Sequence, residues 1–204
     1  MRRGAAFVTA LLPLLLASGC GGGGGGHSGP RPTSQILFDP ASPPPFTPGA
    51  LALVQTGTAQ SVSGGSVFVG VTITDTVNIF GADFDLVFDP TYITFVKATQ
   101  GAFLSASGTV PTQLVTGTQD DGPPPDTKRV VLGIFRTGPA ATNRSAVGQQ
   151  TLVVLEFKAN GPAGSPPSAL VFDSGLTAPE VISMDGTVVS SGTPQGGTLH
   201  IDPL

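Results

Sequence analysis

Tryptophan is absent from this 204-residue chain, and tyrosine, cysteine and histidine are nearly absent, with one Tyr, one Cys and two His. A single cysteine can form neither an internal disulfide nor a cysteine–zinc cluster. Lys and Arg are also scarce, nine against thirteen Asp and Glu, and no basic stripe exists. The net charge of −4 therefore argues against a nucleic-acid surface. The rings on which sugars stack are largely missing, which argues against a glycan-binding platform.

Glycine and proline are abundant instead, with 29 and 20 residues, and charged residues make up only 11% of the chain. Gly or Pro interrupts nearly every window that could form a helix, whereas short runs of Val, Thr, Ile and Phe alternate with turn signals from residue 51 onward. The runs "RVVLGIFRTG" and "TLVVLEFKANG" are apolar on both faces, as expected for central strands. The sequence therefore predicts an all-β sandwich of about nine strands over residues 50–204.

The N-terminus has the features of an export signal. Arg2 and Arg3 precede "AAFVTALLPLLLA", an apolar stretch that is too short to span a bilayer, which takes roughly 20 residues. The following "LLASGC" resembles the lipobox of bacterial lipoproteins, and Cys20 is the only cysteine in the chain. Acylation would remove a thiol that is a liability in an oxidising compartment. We therefore predict a signal peptide over residues 1–19, lipid attachment at Cys20, and anchoring to the cell envelope at the outer membrane or cell surface.

Residues 20–49 have the composition of a linker. Six consecutive glycines, Gly21 to Gly26, give a flexible tether, and the proline-rich segment from Gly29 to Gly49 is stiffer and more extended. An apolar patch, Ile36 to Phe38, interrupts this segment and could dock onto the edge of the domain. We predict a linker that holds the domain away from the membrane, with the lipid as the only membrane contact.

One strand carries carboxylates at alternate positions. In "GADFDLVFDP", Asp83 and Asp85 alternate with apolar residues, so the acids should face outward and the apolar side chains inward. Asp89 and Pro90 are typical of a turn that ends the strand. The outward acids have two explanations: a solvated face that charge protects from edge pairing, or a contact with a partner.

Sequence motifs for catalysis and for metal binding are missing. No Gly-x-Ser-x-Gly elbow or phosphate-binding glycine loop occurs, and "QDDGPPPD" lacks the EF-hand pattern. Asp83 and Asp85 should lie about 6 to 7 Å apart, which superficially suits a glycosidase. A wet face would leave both ionised, however, with no apolar wall to raise the pKa of either carboxyl. We expect no enzyme activity, no cofactor and no metal site in this chain.

Five segments occur in an order that resembles a cohesin domain: "GADFDLVFDPTYITFVKATQGAFL", "RVVLGIFRTG", "GQQTLVVLEFKA", "EVISMDGTVV" and "GTLHI". The resemblance implies a nine-stranded antiparallel sandwich of jelly-roll type that is not an enzyme. It also implies binding to a dockerin, a small calcium-loaded module attached to another secreted protein, often one that degrades polysaccharide. By position, Asp83 matches the outward polar residue that cohesins use to meet a dockerin helix, and Asp85 lies beside it.

The chain departs from the cohesin pattern near its "RVVLGIF" strand. Some cohesins use an aromatic residue near the start of this strand, but the preceding "PPPDTK" contains none. An acidic residue is common after the strand in cohesins, whereas this chain has Arg136 and Thr137 there. The sequence therefore leaves three functions open: a cohesin-like protein-binding module, a carbohydrate-binding module on the same fold, and a structural component of the envelope.

Overall fold

The computed structural model describes residues 34–41, 47–56, 65–106, 108–120, 127–139, 141–175, 178–190 and 192–204. The predicted signal peptide, the glycine tether and Cys20 lie outside these residues. Asp121 and Asp126 of the "QDDGPPPD" segment also lie outside them. Nowhere in the described ranges is there a helix of the length and apolarity needed to cross a membrane.

The described residues form eleven strands and no helix. All the strand pairs are antiparallel, as the sequence-based fold class requires, although the number of strands exceeds the expected nine. The strands are β1 (Ser34–Pro40), β2 (Leu51–Thr56), β3 (Ser66–Thr74), β4 (Gly81–Phe88), β5 (Ile93–Gln100), β6 (Thr112–Asp120), β7 (Lys128–Arg136), β8 (Gln149–Ala159), β9 (Ser168–Phe172), β10 (Glu180–Ile182) and β11 (Gly197–Pro203).

Two sheets enclose one hydrophobic core. The larger sheet has the order β1-β11-β9-β4-β7-β6, with β10 also paired to β4, and the smaller sheet has the order β2-β3-β8-β5. Strands β7 and β8, which the sequence predicted to be central, each have a neighbour on both sides. Aromatic rings join the two sheets, since Phe88 of β4 meets Phe157 of β8 edge to face at 5.4 Å.

The acidic strand β4 lies with its apolar side in the core, as predicted. Phe84, Leu86 and Phe88 are at most 1% exposed. Asp89 ends the strand through a local bond, because its Oδ1 accepts a hydrogen bond from the backbone N–H of Thr91 at 2.8 Å. The period-2 pattern therefore orients this strand correctly.

We predicted that the domain begins at residue 50, but it begins earlier in the chain. Residues 34–40 form β1, which pairs along its full length with the C-terminal strand β11. Ile36 and Phe38 point into the core and are 1% and 2% exposed. This pairing explains the apolar patch in the proline-rich segment: alternate side chains fill the edge of the core, so residues 34–40 are a strand of the sandwich and not linker.

The strand β6 was not predicted from sequence. Its residues, "TQLVTGTQD", are mostly polar, and its two apolar side chains, Leu114 and Val115, are adjacent and so lie on opposite faces. The strand therefore shows no alternation of apolar and polar positions. It forms because β7 pairs with all nine of its residues. The apolar "GAFL" before it is a turn, in which Phe103 and Leu104 are buried.

Candidate functional site

The outer face of β4 is bordered by three strands. The strand β7 pairs with β4 along one edge. On the other edge β10 pairs with residues 81–83 and β9 with residues 86–87. The chain between β9 and β10 begins with Asp173, whose N–H donates to the carbonyl of Asp85 at 2.9 Å. The two predicted site residues therefore lie where one neighbouring strand gives way to the next.

Asp83 is exposed on this outer face. In the register of the sheet it lies opposite Glu180 of β10 and opposite Gly133 of β7. Partial burial raises the pKa of the Asp83 carboxyl, and the negative charges of Asp85 and Glu180 raise it further. The sequence predicted no such rise, because the partial burial that contributes most depends on the strands that border β4, and Glu180 belongs to a strand almost a hundred residues away.

Asp85 shares this face but is buried, which corrects the prediction that it is an outward partner contact. Its Oδ2 lies 3.3 Å from Nη1 of Arg129, and their side chains are 6% and 7% exposed. The Nη2 of Arg129 lies 2.8 Å from Oδ2 of Asp173. One guanidinium thus bridges two carboxylates, and Asp85 belongs to a buried ionic cluster that a partner cannot reach.

An aromatic ring lies over two glycines beside Asp83 on the outer face. Gly81 and Gly133 have their backbones covered by the ring of Phe135, which occupies the space where their side chains would lie. Phe135 itself is half-buried. Further along the sheet, Val115 of β6 is 53% exposed and Gly117 has open space above it. The surface around Asp83 is therefore shallow and mixed in character, with a ring, a valine and an accessible carboxylate.

The chemistry of this face is that of a hydrogen-bond acceptor. No group of three or more His, Cys, Asp or Glu suited to a metal occurs among the described residues. His200 lies elsewhere, on β11, with its Nε2 3.4 Å from Oδ2 of Asp202. Within the described part of the chain, the face around Asp83 therefore holds a carboxylate acceptor but no such cluster.

Comparison with known proteins identifies the fold. No family model and no curated protein sequence matches the chain. Among solved structures, it is similar to the type II cohesin of a cohesin–X-dockerin complex from Acetivibrio cellulolyticus, with a TM-score of 0.54 and 15% identity over 71% of this chain and 93% of that one. A type II cohesin from Bacteroides cellulosolvens gives 0.53 and 14% over 74% and 99%. A cohesin from Clostridium acetobutylicum gives 0.50 and 20% over 72% and 88%. The domain has the cohesin fold.

Proposed function

We propose that this domain is a non-catalytic module that binds a dockerin-type module of another secreted protein through the outer face of β4 and β7. The exposed carboxylate of Asp83, beside the ring of Phe135 that lies over Gly81 and Gly133, is the observation that carries the proposal. The cohesin fold and the position of Asp83 within it support the same partner, since one structural neighbour comes from a complex with a dockerin.

The electrostatics of Asp83 favour a partner that donates hydrogen bonds. A carboxylate that is partly desolvated and close to two other acids is held in an unfavourable state, and a donor or a positive charge relieves it. Hydroxyl, ammonium and guanidinium groups on a dockerin helix have this chemistry. The surface beside Asp83 is shallow because the ring of Phe135 lies over Gly81 and Gly133, so a helix would contact this ring next to the carboxylate.

The setting that we propose is the bacterial cell envelope. Lipid attachment at Cys20 and a glycine-rich tether would hold the domain at the outer membrane or cell surface, where it could retain a secreted protein. The partner would carry the calcium, since no suitable ligand cluster occurs in the described residues of this chain. A partner that degrades polysaccharide fits this setting.

A carbohydrate-binding module is the second candidate, and Phe135 favours it. Its ring lies flat against the sheet next to Asp83, so a sugar could stack on the ring and donate a hydroxyl to the carboxylate. The absence of Trp and the single Tyr make this the weaker candidate.

A pull-down from the native secretome tests the proposal. The exported chain is immobilised and exposed to secreted proteins with calcium or with a chelator, and the retained protein is then titrated calorimetrically against wild type and Asp83→Ala. Asp39→Ala is the matched control, because this exposed acid lies on β1, across the same sheet. We expect calcium-dependent capture that Asp83→Ala weakens and Asp39→Ala leaves unchanged. The opposite result would be a pull-down that retains no protein, together with binding to a glycan array that Phe135→Ala abolishes. That result would support the second candidate and refute the first.

A further inference from the structure

The strand β6 lies at the edge of the seven-stranded sheet. Among the described strands only β7 pairs with it. From Val115 to Asp120 every residue is exposed, including those whose side chains point toward the other sheet. Neither face of this part of β6 is covered.

The direction of the unpaired backbone groups follows from the alternation of an antiparallel ladder. The N–H of Thr137 donates to the carbonyl of Pro111 at 2.8 Å, so the odd-numbered residues of β6 direct their backbone groups toward β7. The even-numbered residues direct their N–H and C=O groups away from the sheet. Among the described residues, none pairs with the backbone donors and acceptors that run along this edge at Thr112, Leu114, Thr116, Thr118 and Asp120.

The edge strand β5 of the other sheet is protected against pairing with another chain, whereas β6 lacks such protection. The edge strand β5 contains a register shift between Phe95 and Lys97, and Lys97 places a positive charge there. Bulges and lysines prevent edge strands from pairing with other chains. The strand β6 has neither proline nor lysine, its register with β7 has no shift, and its one charge, Asp120, lies at the end. It is thus a long, regular and nearly uncharged template for another strand.

We propose that β6 pairs with β6 of a second copy of this chain, antiparallel about a two-fold axis through Thr116. The register then places Leu114 opposite Thr118 and Thr112 opposite Asp120, so no like charges meet. In this register, even-numbered residues of one copy lie opposite even-numbered residues of the other. Their backbone groups point away from β7 and toward each other, so each such pair can exchange two backbone hydrogen bonds. The exposure of both faces of β6 leaves room for the incoming strand.

This pairing would make the domain bivalent. A two-fold axis perpendicular to a continuous sheet keeps the outer faces of both copies on the same side. If the proposed function holds, two Asp83 faces would then be presented side by side to partners, which raises avidity without any new contact. The dimer itself does not depend on that function.

Charge substitution at the axis gives a test. Sedimentation velocity over a concentration series uses the chain from residue 20 onward with Cys20→Ser, so that no lipid contributes to association. We expect wild-type β6 to give a dimer, and Thr116→Lys and Thr116→Asp each to give a monomer, because like charges then face each other. An equimolar mixture of the two variants should regain the dimer. Thr99→Lys, on an exposed threonine of β5, is the control and should dimerise like wild type.

Disulfide trapping tests the register independently. Hydrogen-bonded antiparallel partners have Cα atoms about 5.5 Å apart, within the range for a disulfide. Thr116→Cys should therefore form a covalent dimer on mild oxidation, and Thr99→Cys should not. Thermal unfolding of each variant confirms that it is folded. Two outcomes would overturn the proposal. The first is a wild type that remains monomeric at all concentrations. The second is a dimer that persists in Thr116→Lys and does not crosslink through Thr116→Cys.

Discussion

Asp83 and Asp85 project from the same face of β4, yet Asp83 is exposed and Asp85 is only 4% exposed. The difference comes from neighbours on other strands. Arg129 of β7 and the chain after β9 cover Asp85, while Asp83 lies beyond them beside Gly133. Two equivalent positions in the sequence pattern therefore have separate roles, one in the stability of the sheet and the other at its surface.

Asp83→Ala should weaken binding to the captured partner by about 1 to 3 kcal/mol, the penalty for leaving a buried donor of the partner unsatisfied. Stability should be unaffected or slightly higher, because an unfavourable carboxylate is removed. Calorimetric titration together with thermal unfolding separates the two effects. Unchanged affinity would mean that the acid only keeps the face solvated.

Asp83→Asn should change the pH dependence of stability. The pKa of Asp83 is raised on folding, so the folded state binds more protons and wild type loses stability as pH rises from the unfolded value near 3.8 through the raised value. The asparagine variant cannot lose this proton, so it should be the more stable protein at neutral pH and equal to wild type in strong acid. Thermal unfolding from pH 3 to pH 8 measures the difference. A constant gap across that range would contradict the raised pKa.

Arg129→Met should destabilise the domain by about 3 to 5 kcal/mol, because it leaves two poorly hydrated carboxylates without the cation between them. The partners affected are Asp85 and Asp173, at 3.3 and 2.8 Å from the guanidinium. Arg129→Lys should recover only part of the loss, since an ammonium group lacks the planar fork that reaches both acids. Urea denaturation measures all three proteins. A loss below about 1 kcal/mol for Arg129→Met would show that the cluster contributes little.

Phe84→Ala should lower stability by about 3 to 5 kcal/mol through the cavity that it leaves in the core. Phe84 is fully buried and meets the ring of Phe172 edge to face at 5.8 Å. Chemical denaturation measures the loss. Under conditions in which the variant is folded, its affinity for the partner should stay near that of wild type. Phe84→Ala should therefore lower stability whereas Asp83→Ala should weaken binding, although the two residues are adjacent in sequence.

Cys20→Ser should move the protein from the membrane fraction to the soluble fraction, because no acyl chain can then be attached. Fractionation followed by immunoblotting, with and without metabolic labelling by a fatty acid, measures both the location and the lipid. A wild-type protein that is already soluble after export would exclude the anchor.

Local pattern was sufficient for the core face of β4. Alternation alone places Phe84 and Phe88 inward, and the backbone-binding habit of aspartate accounts for the turn at Asp89. Both features depend on residues within a few positions of each other, so the sequence by itself determined them. The all-β class follows in the same way, because Gly and Pro leave no room for helices.

Long-range pairing decided the rest. The burial of Asp85 requires Arg129, and β1 is a strand only because the C-terminal strand β11 pairs with it. The pKa of Asp83 is raised mainly by partial burial among neighbouring strands, with further contributions from the charges of Asp85 and Glu180. β6 likewise forms against β7, without any alternation of its own. A periodic pattern states which face of a strand is apolar, but not which distant strands will border it or what will cover it. Those neighbours set local solvation and charge, and they decide which of two similar carboxylates reaches the surface.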